Sequence, residues 1–219
     1  MLRIGHRGAA GYEPENTLRS IERAITHCVD FVEFDVQRTR DGYLVLLHDK
    51  RVDRTTNGSG YLADLSLAEV RKLDAGKGEI IPTLQEVLRL TSGRVGLMLE
   101  IIASGIAEQV CRMVHDEYEG TVIYASFLHT EVLQVRRLLP DARTLALIEG
   151  IPVHPTGFAE DAGVTHVGLA IDSLTKDFVR ALQQGGYEVF AYTANDPRDI
   201  AWLRQLQVDG IISDYPDRV

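Results

Sequence analysis

Two carboxylates stand two positions apart in the run Phe31-Val32-Glu33-Phe34-Asp35-Val36. Alternate residues of a strand share a face, so Glu33 and Asp35 point inward together while Phe34 and Val36 point at covering helices. Two like charges aimed at a core are costly unless something cationic lies between them. A divalent cation with oxygen ligands meets that need, and buried arginines or a polar barrel mouth are the other ways to meet it. Glu100 favours the metal. It ends the apolar run Val95-Gly96-Leu97-Met98-Leu99 and brings a third carboxylate to the C-terminal end of the next strand.

Two histidines flank this acidic group. His6 follows the first strand within Gly5-His6-Arg7-Gly8, whose glycines permit a tight exit and close approach of an anion to the backbone. His48 ends the apolar run 43–47. One histidine after a strand is commonly structural, but a pair around one carboxylate cluster points to chemistry. Ser126 ends another strand run and is placed to touch a ligand. His27 and His115 in helical patterns, His129 and His154 in loops, and His166 at the start of a strand read as structural.

The elements that must position these groups alternate along the chain. Strand patterns fall at 2–5, 31–37, 95–100, 122–126, 144–148, 166–169, 188–192 and 210–212. Helical patterns lie between them. Leu18, Ile21, Ile25 and Cys28 recur on one stripe, and Thr83 with Glu86 forms a capping box ahead of Leu84, Val87, Leu88 and Thr91. Asp196-Pro197 caps a helix carrying Ile200, Leu203 and Leu206. Eight alternations predict an α/β fold closed as a (β/α)8 TIM barrel, although 219 residues is short against the typical length of about 250.

The run 43–47 breaks the repeat. Its link to 31–37 is too short for a parallel crossover, and Asp41-Gly42 signals a hairpin, so it reads as an antiparallel return strand. A turn centred on Asp41-Gly42 brings His48 opposite Asp35. Residues 49–82 then form an insertion above the barrel, with a small helix opened by the capping box of Ser66 and Glu69. No linker or repeat divides residues 1–219, which reads as one domain.

A net charge of −9 without a basic run argues against a nucleic-acid partner. A small anionic substrate remains compatible, because a bound cation reverses the local field. The opening residues lack the h-region of a signal peptide, and no apolar run reaches the roughly 20 residues that span a bilayer. Cys28, on an apolar stripe, and Cys111, beside one, read as reduced helical thiols of a cytoplasmic protein.

Taken in order, several short motifs resemble the glycerophosphodiester phosphodiesterases. They are His6-Arg7-Gly8, Pro14-Glu15-Asn16-Thr17, Glu33-x-Asp35, His48-Asp49, Arg54-Thr55-Thr56-Asn57-Gly58, Ile81-Pro82-Thr83-Leu84, Leu99-Glu100-Ile101, Ser126-Phe127 and Asp209-Gly210-Ile211-Ile212-Ser213-Asp214-Tyr215-Pro216. The resemblance covers essentially the whole chain. It implies hydrolysis of small glycerophosphodiester substrates to glycerol 3-phosphate and an alcohol. It also implies Glu33, Asp35 and Glu100 as ligands of a divalent metal cation, usually Mg²⁺ or Ca²⁺. His6 and His48 are the implied acid/base pair, and Arg7 the phosphate holder.

The chain departs from the family at two places. Ile102 stands where the family carries a lysine, two residues after the third acidic ligand. Tyr192 stands where a tryptophan is usual, and it is expected to wall the glycerol pocket. Position 102 shares a face with Glu100, so an apolar wall beside the phosphate and weak activity are expected unless Arg143 or Arg3 reaches in. Two rival readings follow: a related phosphodiesterase acting on lysophospholipids or phosphoinositides, and a barrel that binds metal or a phosphorylated ligand without turnover.

Overall fold

The computed structural model describes all 219 residues. Eight parallel strands close into a barrel: β1 (Leu2–Gly5), β2 (Phe31–Arg38), β4 (Gly96–Ile101), β5 (Val122–Ser126), β6 (Arg143–Ile148), β7 (His166–Ala170), β8 (Glu188–Tyr192) and β9 (Gly210–Ser213). Each pairs with its neighbour in that order, and β1 pairs with both β9 and β2 to complete the ring. The short β3 (Leu44–Leu46) runs antiparallel to the far end of β2.

The connecting helices begin where side chains satisfy free backbone N–H groups. Thr17 caps α1 (Leu18–Thr26) by accepting from the Ser20 N–H. Capping boxes open α2 (Leu67–Val70) and α3 (Leu84–Thr91), and Asp196 precedes a proline at the start of α8 (Pro197–Leu206). The others are α4 (Ala107–Glu117), α5 (His129–Leu138), α6 (Gly157–Ala162) and α7 (Lys176–Gln184). Cys28 departs from the expected helical stripe. It lies past the helix cap His27, exposed, with φ 56°.

Strand parity divides the apolar residues into two layers. Ile4, Phe31, Met98, Ile123, Phe190 and Ile212 fill the barrel, while Phe34 and Val36 pack outward with Leu84 and Val87. The register Glu33↔Met98 and Asp35↔Glu100 then stacks the carboxylates above that apolar filling, at the C-terminal end of the barrel.

β2 is the longest strand, and one of its edges is shared. Its first residues pair with β1 through Ile4↔Phe31 and Gly5↔Val32, and its last three pair with β3. Between them the edge is open to two incoming segments. The Gly8 N–H donates to the Glu33 carbonyl at 3.1 Å, and the Leu47 N–H donates to the Asp35 carbonyl at 3.2 Å. The chains carrying His6 and His48 are thus fastened beside the same two acidic residues.

The hairpin differs by one residue from the two-residue turn expected. The Thr39 N–H donates to the Tyr43 carbonyl at 2.9 Å, which leaves a three-residue loop with Gly42 at φ 89°. A left-handed glycine after two turn residues is the usual form of such a loop. Asp35 therefore faces Leu47, and His48 lies one residue beyond. Residues 49–82 rise from this hairpin around their own apolar cluster, in which Val52, Leu62, Val70 and Ile81 pack on Val45 and Leu47.

Candidate active site

The barrel mouth holds a cavity of about 420 Å³ whose walls include His6, Arg7, Glu33, His48, Glu100 and Tyr192. Carboxylate oxygens of Glu33, Asp35 and Glu100 lie within 4.8 Å of one another beneath it. All three residues are buried, and Glu33 Oε1 and Glu100 Oε1 have no hydrogen-bond partner. Burial first, then repulsion by the neighbouring carboxylates, pushes the Glu33 and Glu100 carboxyls well above the usual range. Three crowded oxygen donors with unpartnered atoms fit a hard divalent cation. Arginine supplies part of the compensation, since Arg7 Nε lies 3.2 Å from Asp35 Oδ2.

Arg7 itself is held in the left-handed region, at φ 48°. Its N–H donates to Glu33 Oε2 at 2.7 Å. Gly8 follows at φ 85°, where an added Cβ would lie 2.5 Å from the Ser20 backbone carbon. Only glycine fits there, so the turn after β1 is set by close contact with α1.

Each histidine is backed by an aspartate. His6 Nδ1 lies 2.6 Å from Asp214 Oδ1, and its Nε2 lies 4.0 Å from Glu33 Oε2. Asn195 steadies Asp214 twice, donating from Nδ2 to Oδ2 at 2.6 Å and accepting the Asp214 N–H at 2.9 Å. Burial raises the Asp214 carboxyl, but the His6 hydrogen bond and charge outweigh it and leave the group below its ordinary value. His48 Nδ1 lies 2.7 Å from Asp49 Oδ1. Arg54 grips Asp49, donating from Nε to Oδ2 at 2.7 Å, and with the His48 contact this lowers the Asp49 carboxyl to about 2.

A chain of charges then crosses the mouth. Arg54 donates to both Glu15 oxygens at 2.8 Å, and Arg7 Nη1 donates to Glu15 Oε1 at 2.7 Å. Gln37, buried on the Glu33 and Asp35 face, reaches the carbonyls of Leu47, His48 and Asp49 at 2.7–2.9 Å and fixes the segment bearing His48.

Three sequence expectations are corrected. Ser126 does not face the cavity: Ala125 takes the inward position, and the Ser126 hydroxyl donates to the Ile101 carbonyl at 2.6 Å while accepting the Leu128 N–H. Ile102 is half-buried and forms no part of the cavity wall, because the strand ends at Ile101. Arg3 pairs with Asp30 and Arg143 begins β6, both at the opposite end of the barrel, so Arg7 is the sole arginine or lysine lining the cavity. Tyr192 does line it, with its hydroxyl donating to the Ile148 carbonyl at 3.0 Å.

Sequence reasoning assigned no role to Glu15, Asn16, Arg54, Asn195 or the two aspartates. The adjacency of His48 and Asp49 offered one signal. Asp214 stood in the last of the quoted motifs, but no local signal joined it to His6, 208 residues away.

Comparison with known proteins agrees with this architecture. The model of the glycerophosphoryl diester phosphodiesterase family matches residues 6–218. A glycerophosphodiester phosphodiesterase of Caldanaerobacter subterraneus is 34% identical over 99% of this chain and 95% of its own. One from Bacillus subtilis is 32% identical over 99% of this chain and 84% of its own. The structure of an Oleispira antarctica phosphodiesterase in complex with the product sn-glycerol-3-phosphate superposes with a TM-score of 0.93 at 29% identity, covering 98% of this chain and 93% of that one. With a closed barrel, a full-length family match and relatives above 30% identity in agreement, this chain belongs to the glycerophosphoryl diester phosphodiesterase family.

Proposed function

We propose that the protein is a metal-dependent phosphodiesterase hydrolysing glycerophosphodiesters to glycerol 3-phosphate and an alcohol. The observation that carries this reading is the pair of aspartate-backed histidines, His6–Asp214 and His48–Asp49, on the walls of the cavity that holds the carboxylates. A divalent cation, Mg²⁺ or Ca²⁺, held by Glu33, Asp35 and Glu100 supplies positive charge against the phosphate oxygens.

The chain's own groups do the rest. Arg7 holds the phosphate from the cavity wall, and Tyr192 walls the glycerol side. An ionised carboxylate only accepts hydrogen bonds, so each imidazole places a proton on Nδ1 and leaves Nε2 for chemistry. One Nε2 takes a proton from the attacking water as the water oxygen bonds to phosphorus. The other gives a proton to the alcohol oxygen as the bond between phosphorus and that oxygen breaks. Two histidines in opposite protonation states complete that exchange, which favours turnover over a ligand-binding barrel.

No helix of the structure is long and apolar enough to cross a membrane. A cytoplasmic setting suits the unbridged Cys28 and Cys111. The decisive assay couples glycerol 3-phosphate release to a reporter, with a panel of glycerophosphodiesters. Release should require Mg²⁺ or Ca²⁺ and stop with chelator. A folded protein that releases none under any metal is a binding protein instead.

A further inference from the structure

Glu15 does not line the cavity, yet its carboxylate holds two groups that serve it. Its Oε1 accepts from Arg7 Nη1 at 2.7 Å and from Arg54 Nη2 at 2.8 Å, and its Oε2 accepts from Arg54 Nη1 at 2.8 Å. Arg54 turns the other edge of its guanidinium to Asp49, with Nε 2.7 Å from Oδ2 and Nη2 3.0 Å from Oδ1. Asp49 Oδ1 in turn meets His48 Nδ1 at 2.7 Å. One carboxylate thus stands in the middle of an unbroken line from the arginine of the cavity wall to a histidine. The backbone beneath it is fixed on both sides. The Asn16 N–H donates to the Arg7 carbonyl at 3.1 Å, and the Thr17 hydroxyl donates to the Pro14 carbonyl at 2.7 Å. Lys77 of the insertion donates to the Tyr12 carbonyl and to Glu13, each at 2.8 Å, so this loop lies between barrel and insertion.

Arg7 needs such a hold. Its Nε lies 3.2 Å from Asp35 Oδ2, but that buried N–H lacks hydrogen-bond geometry, and the side chain's one hydrogen bond is to Glu15. Exposed ion pairs contribute little unless they are bidentate or belong to a network, and the Glu15–Arg54 pair is both. Burial raises the Glu15 carboxyl, but the Arg54 hydrogen bonds and the Arg7 charge outweigh it, so the group lies below its ordinary value and stays charged. We propose that Glu15 is a positioning residue for both halves of the reaction: it aims Arg7 at the phosphate and, through Arg54 and Asp49, aims His48. The inference rests on the phosphodiesterase reading and adds a residue that acts only through others. Without its charge Arg7 turns toward Asp35 and Glu33, and Arg54 keeps Asp49 as its only partner. A glutamine at this position offers one acceptor oxygen and turns an N–H group toward a guanidinium, so it holds one arginine at most.

The test is a double-mutant cycle of E15Q and R54M, read as kcat and KM for glycerophosphoglycerol at saturating Mg²⁺. E15Q should raise KM by about tenfold or more, the effect of one misplaced charge-assisted hydrogen bond, and lower kcat by about tenfold. R54M should lower kcat to a similar degree and leave KM within about twofold of wild type. In the double variant kcat should fall no further than in either single variant, because both act on His48 through one link, while KM keeps its E15Q value. A variant that merely unfolds in part lowers the apparent kcat without moving KM. A near-normal KM in E15Q overturns the inference, as do kcat losses that multiply in the double variant. If E15Q does not fold, E15D, too short to reach both arginines, replaces it under the same criteria. If the wild type turns over no diester, the hydrolase reading fails instead, and the dissociation constant of glycerol 3-phosphate takes the place of KM. It should weaken about tenfold in E15Q and stay within about twofold in R54M. Equal constants in all three proteins overturn the inference.

Discussion

Asn16 and Asp35 hold each other through two hydrogen bonds. Asn16 Nδ2 donates to Asp35 Oδ2 at 2.7 Å, and the Asp35 N–H donates to Asn16 Oδ1 at 3.1 Å. Asn16 sits at φ 57°, a conformation asparagine tolerates better than most residues, and its own N–H donates to the Arg7 carbonyl at 3.1 Å. A loop residue ahead of α1 thus sets the direction of a carboxylate on β2.

Replacing Asn16 by glycine keeps the left-handed backbone and removes the clamp. Affinity for Mg²⁺ or Ca²⁺ should fall roughly 10- to 100-fold, the usual effect of losing a group that orients a metal ligand. Titration calorimetry measures it. Unchanged affinity would mean that Arg7 and the strand alone orient Asp35.

His6→Ala and His48→Ala should each lower kcat by roughly 10²–10⁴-fold, the range of general acid–base catalysis. Asp214→Asn should lower kcat by less than His6→Ala and leave KM near its starting value, because His6 remains but loses the partner that orders its protons. A histidine whose removal leaves kcat near normal belongs to the structure and not to the reaction.

Glu100→Gln should raise the melting temperature of the chelated protein, since it removes one of three crowded carboxyls that burial and mutual repulsion make costly to ionise. The same variant should lose the stabilisation that metal gives. For wild type at a hundredfold excess over Kd, that stabilisation is about 2.7 kcal/mol, or roughly 5–10 °C in a chain of this size. Thermal melts with and without metal separate the two effects. If metal still raises the variant's melting temperature by the full amount, Glu100 is not a ligand.

Asp49 gives a prediction in acid. Its carboxyl titrates at about 2 when folded, held down by Arg54 and His48, against an ordinary value near 3.9. A depressed folded value contributes stability that is present above about pH 4 and lost as pH falls toward 2. The decline of melting temperature across that window should therefore be shallower in Asp49→Asn than in wild type. Parallel curves would show that the Asp49 contacts are equally formed in the unfolded chain.

The barrel and its acidic group were legible because strand parity and helix caps are local signals. Glu33, Asp35 and Glu100 were found that way, and the structure draws their oxygens together. The hairpin register was misread by one residue, since Asp-Gly serves both two-residue turns and the three-residue loop that Thr39 and Tyr43 close here. Ser126 follows the inward-facing Ala125, so strand parity turns it outward, and the Ile101 carbonyl then claims its hydroxyl. Ile102 failed for another reason: alternation holds only while the strand continues, and β4 stops at Ile101. Contacts such as His6–Asp214 depend on ring closure, which no local window contains.

That closure has a consequence for synthesis. β1 pairs with β9 along all four of its residues, and His6 meets Asp214 at the seam. The ribosome delivers His6 ahead of its partner by 208 positions. A nascent chain can pair β2 with β4, and so bring Glu33, Asp35 and Glu100 to one end of the sheet, while His6 still lacks Asp214. The His6–Asp214 contact then forms as one event with β9 entering the ring.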